Sequence, residues 1–257
     1  MSVVEQGYPT LSRKSHHFDI YLSAKITVKW LLGIVFCLTL ASLFVNFTYY
    51  YLPHYPLRDI LKWLFNVDQE TNIPSLYSAA SLLFCSILLA TISKVKKIAR
   101  NSDYRSWAGL SIIFVYLSLD EFISIHEILI LPLRNALNTR GFLYFSWVIV
   151  GAIFVLLFLL RFWRFIFTLP KKTRHLFLIA GAIYVAGAIG IEMVGGYYAN
   201  YYTETNMIYA LITTVEEVLE MIGIVVFIYA LLSYISSSMN GIDVGFHIID
   251  SKKQHLI

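Results

Sequence analysis

A chain of 257 residues that is 58% hydrophobic and only 14% charged lies far from soluble globular proteins, where about a quarter of residues are charged. A mean hydropathy of +0.67 points the same way. The small net charge of +4 does not suggest nucleic acid as a partner, which leaves a membrane protein as the expected class.

Residues 1–29 are polar and mixed, carry no cleavable leader pattern, and read as a cytoplasmic segment. The first apolar run, Trp30–Leu52, is long enough to cross a bilayer, which takes about 20 residues. Asn46-Phe-Thr48 inside it has the form of a glycosylation sequon, discounted because it lies within a span. LRDILKWLF, residues 57–65, reads as a short interfacial amphipathic helix. The loop FNVDQETNIPSLYSA follows at 65–79, with Asn72-Ile-Pro74-Ser75 starting a helix. Asp68 and Glu70 are expected to be solvated in that loop, with a cap over a site in the membrane as the alternative.

Five more spans follow, at Ser75–Ser93, Trp107–Leu131, Phe142–Phe162, Leu176–Tyr198 and Met207–Tyr234. Residues 236–257 read as a short cytoplasmic tail. All six prolines fall outside these spans or at their edges, as helix interiors require. Cys37 and Cys85 sit mid-span, where a disulfide is not expected. Ala182, Ala186 and Gly190 recur every four residues, a small-residue face suited to close helix packing. The predicted fold is all-α: a polytopic integral membrane protein whose six transmembrane helices occupy residues 30–235.

The basic residues orient it. Of the 20 Lys and Arg, only Arg58, Lys62, Arg134 and Arg140 fall in one alternate set of loops, and the other sixteen fall in the opposite set and the termini. Positive residues stay on the cytoplasmic side, so both termini are predicted to be cytoplasmic. The expected location is a bacterial inner membrane. Tyr49, Tyr50, Tyr51, Tyr55, Tyr198, Tyr201 and Tyr202 fall at outer span ends and Trp30, Trp107 and Trp163 at inner ends, the positions of interfacial anchors.

Seven of the 16 acidic residues lie within the predicted spans: Asp120, Glu121 and Glu127, then Glu192, then Glu216, Glu217 and Glu220. No Lys or Arg sits deep in any span, and His126 is the one intramembrane His. Each charge at a helix centre costs about 2.5–3.5 kcal/mol on insertion scales, so seven without a role are not expected. At 100° per residue Asp120, Glu121 and Glu127 share one face, and His126 points away from Asp120. Tyr209, Thr213, Glu216, Glu217, Glu220 and Gly223 share a face of the last span. The axial rise puts all seven acids between the midplane and the outer surface, which implies one shared site.

Clustered carboxylates in low dielectric must be neutralised by protons or by cations. Carboxylates with one imidazole suit Mn, Fe, Mg or Ca better than softer ions. The first expected function is therefore a metal-dependent membrane enzyme, a hydrolase or oxidase acting on a membrane lipid or other small apolar substrate. Asp120, His126, Glu127, Glu192, Glu217 and Glu220 would be metal ligands, and Glu121 or Glu216 the general base. Acids projecting inward from several helices resemble the donor set of di-metal carboxylate bundles. The chain departs from that pattern in having no Glu-x-x-His. The second is a transporter coupled to protons or divalent cations, for which LSLDEF (117–122) and TTVEEV (213–218) hint at an inverted repeat. The third is a non-catalytic sensing or assembly role. No nucleophile elbow, phosphate loop or dinucleotide fingerprint is present.

Overall fold

The computed structural model describes residues 23–239. Residues 1–22 of the predicted N-terminal segment and residues 240–257 of the predicted tail lie outside the described residues, and the first span begins at Ala24, within the segment expected to precede it. Among these residues all regular structure is helical, in the order α1 (Ala24–Tyr51), α2 (Arg58–Phe65), α3 (Ile73–Ile98), α4 (Tyr104–Ile123), α5 (Ile130–Leu137), α6 (Trp147–Thr168), α7 (Lys171–Val185), α8 (Glu192–Tyr201) and α9 (Met207–Ser238). Six stretches are long and apolar enough to cross a membrane: α1, α3, α4, α6, the continuous α7–α8 segment Lys171–Tyr201, and α9.

Two spans depart from the simple helices their composition predicts. The third stops at Ile123 rather than Leu131, because Ser124 adopts a left-handed conformation with φ +49°. A 3-10 turn, His126–Leu129, then leads into α5. The fifth is interrupted by a π-helical turn at Ala186–Ile191, placed directly before Glu192. An interior π turn widens a helix and is often found at functional sites.

Packing centres on α9, which lies against α1, α3 and α7. The pair α3 and α4 is joined by hydroxyls: Ser86 and Ser111 donate to each other's carbonyls at 2.8 and 3.0 Å, and Ser118 donates to the Ala79 carbonyl at 2.7 Å. Such bonds hold helices together where apolar burial gives no net drive. The expected small-residue face of the fifth span does not do the packing: Ala182, Ala186 and Gly190 point outward. Gly187 and Gly223 make the close approaches instead. A Cβ on Gly223 would lie 2.9 Å from the Tyr184 backbone nitrogen, and one on Gly187 would lie 2.8 Å from the Glu216 carbonyl oxygen. These two glycines bring α7 and its π turn onto α9.

At one end of the bundle, Trp107 is 1% exposed. It stacks on Tyr234 at 5.0 Å and meets Phe165 and Phe177 edge-on. It is therefore a core residue and not the interfacial anchor its position suggested, since neighbouring helices enclose it. At the other end the helices splay around a polar cavity.

Candidate functional site

The cavity has a volume of about 110 Å³. Its carboxylates and its one imidazole come from four stretches of chain. The end of α4 contributes Asp120 and Glu121, and the 3-10 turn contributes His126 and Glu127. The first residue of α8, released by the π turn, contributes Glu192. One face of α9 contributes Tyr209, Thr213, Glu216, Glu217 and Glu220, spaced at three to four residues as one helical face requires. The loop between α2 and α3 contributes Asp68 and Glu70. Nine carboxylates thus surround one small space, and among the described residues no Lys or Arg lines it.

Asp68 and Glu70 are not solvated in their loop. A knot of buried amides folds the loop back over the helices. Asn46 in α1 donates to the Asn66 side chain at 2.7 Å, and the Ser42 hydroxyl accepts from the Val67 backbone N–H at 3.1 Å. Asn72 donates to the Asn66 and Trp63 backbone carbonyls, while its side-chain oxygen caps α3 by accepting the Ser75 backbone N–H. Asn46 is 1% exposed, which agrees with discounting its sequon. Burial, then the charges of Glu192 and Glu127, lift the Asp68 carboxyl from 3.8 to about 7. Burial also lifts Glu70 from 4.5 to about 7, helped by Glu127 and Asp120. Glu70 Oε2 and the Ser124 hydroxyl are buried with no hydrogen-bond partner among the described residues.

His126 is oriented opposite to the expectation from helical angles. Because α4 ends at Ser124, the chain turns and brings His126 back to Asp120. One Asp120 oxygen accepts the His126 backbone N–H at 2.9 Å, and the other lies 3.0 Å from Nδ1. Burial works against the imidazolium, but the hydrogen bond and charge of Asp120, with Glu192 and Glu127, hold His126 above its usual range. Trp147, at the start of α6, packs on the imidazole with ring centroids 4.3 Å apart and donates its indole N–H to Glu192 at 2.7 Å. Asp120, His126, Trp147 and Glu192 therefore form one chain of contacts across the cavity. Glu127 is exposed at its rim, whereas Glu216 and Glu220 are buried.

A family model described as a domain of unknown function, DUF8692, matches residues 31–235. The chain belongs to this family. Comparison with curated proteins and with solved structures gives no match. The matched region contains every residue that lines the cavity.

Trp147 and Tyr184 line the cavity without having been expected there, and Asp68 and Glu70 line it as the less favoured of their two readings, the cap, had them. The one sequence signal for the loop acids was their position at the end of the bundle where the other acids lie. Trp147 gave none, because a Trp at the start of a span reads as an interfacial anchor.

Among the described residues, no three of the His, Cys, Asp and Glu donors converge closely enough to hold a metal ion by themselves. The donor set is rich in carboxylate oxygen, with one imidazole and, among the described residues, no Lys or Arg in the lining.

Proposed function

We propose that this is a polytopic membrane protein, both termini cytoplasmic, that binds a divalent cation (Mn, Fe, Mg or Ca) in the carboxylate cavity of its outer half and acts enzymatically on a membrane lipid or other apolar substrate. One observation carries the reading: nine carboxylates and a histidine surround about 110 Å³ with no Lys or Arg among them. Ionised carboxylates at that density require compensation, and a cation supplies it. The volume suits an ion with a few waters, at about 30 Å³ per water, and not a whole lipid. The substrate would therefore meet the site at its rim, beside the exposed Glu127 and the half-buried His126.

The chain's own residues divide the work. Asp120 holds Nδ1 of His126 and leaves Nε2 for a ligand, the way a carboxylate orients an imidazole toward a metal. Asp120 is then an orienting residue before it is a ligand. Glu217, Glu220 and Glu192 supply oxygen donors, with Glu192 steadied by the Trp147 indole. Glu121 or Glu216 is left to take a proton as general base. A bound cation would supply charge stabilisation and a more acidic water. Metal analysis of the purified protein, Glu217→Gln and Asp120→Asn tests this. Metal retained by the parent and lost from Glu217→Gln is the expected result. A metal-free parent whose carboxyls give the infrared band of the protonated form overturns it.

A second reading, a transporter coupled to protons or divalent cations, is favoured by the π turn before Glu192. Ion sites in transporters often sit where a helix departs from regular geometry. Uptake of Mn²⁺ into proteoliposomes, driven by a pH gradient and absent in Glu192→Gln, would favour it over the enzyme.

A further inference from the structure

Beside the carboxylate cavity, at the same end of the bundle, lies a more open cavity of opposite character, about 320 Å³ in volume. Arg134 and Asn135 of α5, Asn138, Arg140 and Tyr144 of the turn that follows, and Asn200 of α8 line it. No Asp or Glu does. Neither arginine pairs with a carboxylate among the described residues, although nine carboxylates surround the neighbouring cavity.

The basic cavity is built, not merely open. The Arg134 Nε–H donates to the Tyr144 carbonyl at 2.7 Å, and the guanidinium lies 3.5 Å from the Tyr144 ring centroid. Those contacts fix the plane of the guanidinium and leave its terminal N–H groups free to donate as a fork. The turn carrying Arg140 is held by two left-handed residues, Asn138 with φ +50° and Gly141 with φ +61°. Tyr197 and Tyr201 back Gly141, and Ser146, fully buried, bonds to Thr139 and to the Leu143 carbonyl. Two guanidinium groups with three side-chain amides offer many donors and two positive charges. A tetrahedral anion with several acceptor oxygens matches such a set better than any cation or apolar group.

We propose that this cavity binds a phosphate group, either free or carried in a lipid headgroup. The inference goes beyond the cation reading and does not depend on it: the two cavities share an end of the bundle but no lining residue. The full chain in a non-ionic detergent is titrated with inorganic phosphate, with dioctanoyl phosphatidylglycerol, and with dioctanoylglycerol, which lacks the phosphate. At least one phosphate-bearing probe is expected to bind, and the diacylglycerol is not. In Arg140→Gln, binding should weaken about ten- to a hundredfold, the effect of losing a charged hydrogen bond. Arg140 is exposed, so this variant should keep the parent's melting temperature, and Asn135→Ala provides a second, milder loss. Binding of inorganic phosphate assigns the site to free phosphate, and binding of the phospholipid alone assigns it to a headgroup. If neither phosphate probe binds, if the diacylglycerol binds as tightly, or if Arg140→Gln leaves affinity unchanged, the proposal falls.

Discussion

Trp107 and Asp120 stand 13 residues apart on α4, about 20 Å along its axis, and their surroundings are opposites. Around Trp107, aromatic and aliphatic side chains from α3, α4, α6, α7 and α9 close on one another, with Leu89, Ile92, Ile228 and Leu231 wholly buried. Around Asp120, α4 with its 3-10 turn, α8, α9 and the loop before α3 present carboxylates, beside a π turn and buried oxygen atoms without partners among the described residues. Packing at the first end provides the stability that lets the second end remain polar, since buried polar groups without partners each cost about 1–3 kcal/mol. The contrast places the packed core at one end and the proposed ligand site at the other.

The largest expected effect tests the apolar end. Trp107→Ala should cost about 3–5 kcal/mol, read as a lowered melting temperature in detergent, because three rings lose their partner. Divalent-cation binding by the fraction that folds should be unchanged, and a large fall in affinity would mean the two ends are coupled. Asn66→Ala comes next. It removes the amide that joins α1 to the loop, at about 1–3 kcal/mol, and also frees Asp68 and Glu70. Here stability and cation affinity should fall together. Glu217→Gln should do the reverse of Trp107→Ala: the cation-free protein should melt no lower than the parent, while the rise in melting temperature on adding Mn²⁺ should vanish. A clear loss of stability without cation would make Glu217 a structural residue and break the contrast.

Six spans were legible because a bilayer demands runs of about 20 apolar residues and little else in a sequence satisfies that length. Seven of the nine carboxylates that line the cavity stood out because charge within such a run is conspicuous. What failed to show were departures from regular helix. Extending the period of α4 through Ser124 turned His126 away from Asp120, whereas the left-handed cap turns it back. The stripe of Ala182, Ala186 and Gly190 was read on a regular helix, but the π turn alters the register and Gly187 takes the contact. Asp68 and Glu70 look like solvated loop residues until Asn46, Asn66 and Asn72 join across the fold, and pairings over 20 residues have no local signal.

The smallest effect separates the two ends by pH. The Asp68 and Glu70 carboxyls are lifted to about 7 in the folded protein, above their usual 3.8 and 4.5. The fold therefore favours their neutral forms. That contribution to stability is fully present below the usual values and is lost as pH rises through about 7. Glu127 and His126 are also raised and act in the same direction, whereas of the rings that touch Trp107 among the described residues, Phe165, Phe177 and Tyr234, only Tyr234 can titrate. The cation-free protein should thus melt progressively lower between about pH 5 and about pH 8. Asp68→Asn should flatten that slope, while Trp107→Ala should shift the whole curve down without changing it. Added Mn²⁺ should restore the melting temperature most at the alkaline end, where the carboxylates are ionised. A parent that melts higher at pH 8 than at pH 5 without cation would mean that Asp68 is held ionised, with Lys62 the one cation that acts on it to lower its pKa.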